Sequence, residues 1–140
     1  MKQIKVSLCI LCTAFMLLCC SCGLFGDQEY ACVIDHVESI EIVRLEEYVQ
    51  EEYRYEYTVL SKITDCTTFV DRLNNIKHSV NWGEPSQFDI GYVVIKIEYL
   101  NGDYELLYTN AQMFNRSGVN QYGYFFFDDE QFNSLISDYI

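Results

Sequence analysis

The chain has 140 residues, half of them hydrophobic and 16% aromatic, with a formal net charge of −12 at pH 7. That length suits one domain with a real core and leaves no room for two. So acidic a chain repels nucleic acid and anionic lipid headgroups, which argues against either as a partner, and twelve Tyr with nine Phe argue against disorder.

In chain order, a leader comes first. Lys2 and Lys5 give it a positive start, and Val6 to Phe25 follow without a charge, the layout of a secretory signal. Its end, "LLCCSCGLF", resembles the lipobox of bacterial membrane lipoproteins, in which a small residue precedes a cysteine that is acylated and becomes the N-terminus after cleavage. Ser21 and Gly23 flank Cys22 as that pattern requires, although Cys19 stands three positions before it, where the family usually has Leu. Cys20, with Leu17 three before it, is the alternative. The resemblance implies a palmitate-type lipid anchor on Cys22 and a domain on the extracytoplasmic side of the cell membrane. An uncleaved helical anchor competes with it, since about 20 apolar residues can span a bilayer. Both readings keep the lysines inside and the domain outside. The expected division is a signal peptide over 1–22, a tether over 23–31 and a single domain over 32–140.

Five of the seven cysteines lie in the leader, leaving Cys32 and Cys66. Export would permit a disulfide between them. In a regular hairpin that puts Ile40 and Ile42 on the face of Tyr55 and Tyr57, however, Cys32 and Cys66 fall on opposite faces.

"VESIEIVRL" and "YRYEYTVL" read as antiparallel strands around the polar "EEYVQEE". Tyr53, Tyr55, Tyr57 and Val59 share one face of the second, read as its core face. "TDCTTFVDRLNNI" reads as a short helix capped by Asp65, with Cys66, Phe69, Val70, Leu73 and Ile76 at helical spacing. A short strand near "HSVNW" and a loop at "NWGEPSQ" come next. In "YVVIKIEYLNGDYELLYT" the Asn101-Gly102 pair signals a hairpin. A two-residue turn there sets Tyr99 against Tyr104, Ile97 against Leu106 and Ile95 against Tyr108 on the core face. Lys96 and Leu107 then oppose each other outward, as do Glu98 and Glu105. "NRSGVNQ" reads as a turn and "YGYFFF" as a strand. "DDEQFNSLISDYI" reads as a helix capped by Asp128, with Gln131 in a capping box and Phe132, Leu135, Ile136 and Tyr139 buried. The expected fold is α+β: a mostly antiparallel sheet of five to six strands with two helices on one face. The Ile-rich first strand, the "YLNG" hairpin and the capped last helix resemble small extracytoplasmic lipoproteins of Gram-positive bacteria. That resemblance carries no catalytic residues with it.

No local catalytic or phosphate-binding motif is present beyond the leader. Cys32 with His36, and Cys66 with His78, have no recurrent zinc spacing, so no metal and no cofactor is assigned. The carboxylates Glu46, Glu47, Glu51 and Glu52 read as a solvated tip, and Asp128 to Glu130 as a helix start. The functional expectation is a lipid-anchored, non-enzymatic binding module of the cell envelope with an envelope protein as partner. The alternatives are an enzyme without a local motif and a structural surface protein.

Overall fold

The computed structural model describes residues 29–52, 54–81, 87–110, 112–115 and 124–140. It is an α+β fold whose strands pair antiparallel throughout. A 3-10 turn over Ile34–His36 leads into β1 (Val37–Val49) and β2 (Arg54–Lys62). Helix α1 (Cys66–Asn74), β3 (His78–Asn81), β4 (Val93–Tyr99), β5 (Tyr104–Leu107), β6 (Gln112–Asn115), β7 (Tyr124–Phe127) and helix α2 (Asp129–Ser137) follow.

These strands do not form the single sheet expected. Five make a sheet in the order β2-β1-β4-β5-β6, and β3 pairs with β7 in a separate two-stranded sheet. The reason lies in "YFFF": Phe125 and Phe127 point into the core beside the helices, while Phe126 is exposed. The small sheet therefore stacks against the core instead of lengthening an edge. The Phe127 N–H ties it to the main sheet by donating to the Thr109 carbonyl at 2.8 Å.

Both helices begin where their caps stand. Asp65 accepts from the Thr68 N–H and Asp128 from the Gln131 N–H, each at 3.0 Å, satisfying a backbone donor that the first turn leaves free. Gln131 does not complete a capping box. Its side-chain oxygen accepts from the Lys77 N–H, and the Asp128 N–H donates to the Lys77 carbonyl, both at 2.8 Å. The start of α2 is thereby clamped to the residue preceding β3.

One face of the main sheet is covered. Ile40, Ile42, Ile95, Ile97 and Leu107 meet Phe69, Val70 and Leu73 of α1 and Phe132, Leu135 and Ile136 of α2 in the larger core. Tyr30 and Cys32 are buried in the same core, and Tyr30 lies within the stretch expected to be a tether. The other face carries a smaller cluster of Val43, Leu45, Val94, Leu106 and Phe88. Residues 87–92 reach it by an exchange of backbone bonds, Gly91 N–H to the Leu45 carbonyl and Leu45 N–H to the Tyr92 carbonyl. Gly91 makes that approach at φ +90°, a conformation a side chain resists. Leu45 therefore has cover on the face away from the helices.

Two registers differ from the sequence expectation. In the first hairpin β1 runs through "EEYV" to Val49, so the polar tip is shorter than expected. Shifts between Ile42 and Val43, and between Leu45 and Glu47, interrupt the ladder with β2. Tyr57 opposes Leu45, and Val59 opposes Val43, which puts them on the open face and not beside Ile40 and Ile42. In the second hairpin Ile97 opposes Glu105, Lys96 opposes Leu106 and Ile95 opposes Leu107. The loop has three residues, Leu100 to Gly102, closed by Gly102 N–H to the Tyr99 carbonyl and Tyr99 N–H to the Asp103 carbonyl, each at 2.9 Å. Gly102 sits at φ +87° at the third loop position, the left-handed residue of a three-residue hairpin. One added loop residue turns every side chain of β5 to the other face. Leu106 thus leaves the main core and Glu105 enters it.

Candidate functional site

That change of register leaves two polar arrangements, one on each face. On the covered face Glu105 has no exposed surface. The Tyr99 hydroxyl donates to it, and the Tyr30 hydroxyl lies 3.5 Å from both carboxylate oxygens. The Tyr99 oxygen is also 3.7 Å from Cys32 Sγ. Cys32 is held by Asn74 at the end of α1, whose side chain accepts from the Cys32 N–H at 2.8 Å and donates to its carbonyl at 2.9 Å. A carboxyl group in a core needs such partners, because a buried polar group left without hydrogen bonds is costly.

On the open face Lys96 is the centre. It is only 9% exposed, although its place in β4 points it away from the helices. Its Nζ lies 2.5 Å from Glu98 Oε1 and 3.7 Å from Glu41 Oε2, and stands over the Tyr57 ring at 4.9 Å from the centroid. Lys62 pairs with Glu41 at 3.1 Å, and the Ser39 hydroxyl donates to Glu98 at 3.0 Å. Burial works against the Lys96 charge, but the Glu98 and Tyr57 partners outweigh it and hold the ammonium above its ordinary range. The same hydrogen bond from Lys96, with burial opposing and Ser39 assisting, draws the Glu98 carboxyl below its ordinary range. Beside this network runs β2, an edge strand in which Tyr57, Val59 and Leu60 are 38%, 39% and 37% exposed.

The residues singled out from sequence are scattered. Cys22 and Cys20 lie outside the described residues, as does Tyr53. Cys32 and Cys66 are free thiols, and the bond between them is not formed. Cys66 opens α1, while the Cys32 backbone is fastened to the side chain of Asn74 at the other end of that helix. Glu98 and Glu105, expected to oppose each other, sit on opposite faces. Glu46, Glu47, Glu51 and Glu52 are exposed around the first hairpin tip. A hydrogen bond with Thr58, then one with Arg44, draws the Glu46 carboxyl down. His36 is exposed at the end of the 3-10 turn and His78 is half-buried in β3. Among the described residues no three His, Cys, Asp or Glu side chains gather as a metal site, and no helix is long and apolar enough to cross a membrane.

Sequence reasoning missed Glu105 and Lys96 as centres of polar networks. The signal for Glu105 was available: Gly as third residue of "LNG" marks a three-residue loop, which sends Glu105 inward. Comparison with protein-family models, curated proteins and solved structures finds no match to this chain.

Proposed function

We propose that the chain is a non-enzymatic binding module of the cell envelope. It is held to the membrane by lipid on Cys22, with Cys20 as the alternative, and presents its domain to the extracytoplasmic side. The observation that carries the binding reading is β2, a nine-residue edge strand with three exposed large apolar side chains. An edge of that kind is a template for strand addition by another chain. Tyr57, backed by Lys96, supplies an amphipathic aromatic of the type enriched where proteins meet. The partner is an envelope protein that contributes an extended segment.

A photoreactive residue at Thr58 of the full chain, on intact cells, tests this. One envelope protein should be captured from Thr58 and not from Asn133, which is exposed on α2. Equal capture at both positions, or none at Thr58, would contradict the reading. The anchor is tested separately, by loss of fatty-acid label in Cys22→Ala.

A further inference from the structure

The β2 edge has two unlike faces, and together they specify what an added strand must carry. In the middle of β2 the ladder with β1 is regular, with Tyr57, Thr58 and Val59 opposite Leu45, Arg44 and Val43. Successive side chains of a strand alternate between faces. Tyr57 and Val59 therefore lie on the open face, where Val43 and Leu45 cluster, and Glu56 and Thr58 lie on the other. That second face is acidic. Glu47 stands directly opposite Glu56, and like charges so placed weaken a sheet. The nearby cations do not cancel the excess. Arg54 is divided between Glu52 at 2.5 Å and Glu56 at 3.5 Å, and Arg44 pairs with Glu46 at 3.0 Å. Lys62, at the far end of β2, is taken up by Glu41 on the open face.

We infer that the strand added at β2 is cationic, an extended segment of the envelope protein in which basic and apolar residues alternate. This rests on the reading of β2 as a docking edge and names what docks there. Paired along β2, the segment sets its apolar side chains beside Tyr57 and Val59 on one face. Its Lys or Arg side chains then meet Glu56 and Glu47 on the other. Neighbouring strands gain from both kinds of pair, apolar with aromatic and charge with opposite charge. The period of two is essential, because a slip of one residue carries every cation to the apolar face. A second copy of this chain fits poorly. Two molecules of net charge −12 repel each other, and each brings the same acidic face.

The probe is a labelled peptide of nine residues, the length of β2, alternating Lys and Val. It is titrated by fluorescence anisotropy onto the full chain in non-ionic detergent. It should bind about tenfold more tightly than a peptide of the same composition with its lysines and valines in two blocks, or one alternating Glu and Val. Glu47→Gln/Glu56→Gln should weaken it about tenfold, with stability to denaturant kept or raised as the opposed charges are relieved. Equal binding of the block peptide or of the Glu/Val peptide overturns the cationic strand, and that comparison needs only the unaltered chain. Undiminished binding to the double variant overturns it too. Strand addition is judged apart from this, by capture from Thr58 on cells. Capture that persists in full in Glu47→Gln/Glu56→Gln keeps an envelope partner at β2 and rejects a cationic one.

Discussion

The two faces of the main sheet use the same strands for different ends. The covered face is continuous: isoleucines of β1 and β4 interlock with both helices and the small sheet, and the Glu105 side chain buried among them is met by tyrosine hydroxyls. The open face has an apolar cluster where residues 87–92 return over Val43 and Leu45, and beside it a lattice of Lys96, Glu41, Glu98, Lys62 and Ser39. Burial of apolar area drives folding in proportion to the area removed from water, so the covered face carries most of the stability. The open face is free to be chosen for contact. Exposure of Tyr57 and Val59 at its β2 edge is the visible result.

The comparison is broken most forcefully from the covered side. Ile97 is fully buried, and Ile97→Ala should cost about 2–5 kcal/mol in chemical denaturation. A loss under about 1 kcal/mol would mean that the helices do not rest on this face. Tyr99→Phe removes a donor from buried Glu105 without changing the ring, and should cost about 1–3 kcal/mol by the same measurement. Acid sharpens the contrast on the open side. The Glu98 carboxyl is drawn below its ordinary value of 4.5, so its contribution is complete above that value and is lost as pH falls through the lower folded one. Stability should drop on acidification below about pH 4.5, and the drop should be smaller in Glu98→Gln.

How much of this was legible in the sequence depends on whether a signal was local. Asp65 and Asp128 followed by apolar stripes mark both helices, because a cap and a 3.6-residue period are contained in the segment itself. The α+β class and its antiparallel pairing were legible for the same reason. Register was not. The bulges beside Val43 and Glu47 have no side-chain signature, and the alternation of Tyr55, Tyr57 and Val59 is equally compatible with either face. β6 carries only "QMFN", too short to set a period, and depends on its pairing with β5. The candidate sites suffered most, since Glu105 and Lys96 draw their meaning from neighbours remote in sequence. Tyr30 and Glu105, for instance, are 75 residues apart.

The smallest stability change belongs to the edge strand, and it bears on the division between the faces most directly. In Tyr57→Ser/Leu60→Ser, denaturation and crosslinking from Thr58 should be measured on the same protein. Both side chains are substantially exposed, so the pair should cost under about 1.5 kcal/mol, including the contact of Tyr57 with Lys96. Capture of the envelope partner should nevertheless be lost. A loss of stability above about 3 kcal/mol would place β2 among the elements that hold the core. Undiminished capture would show that Tyr57 and Leu60 of β2 are not where this protein makes its contact.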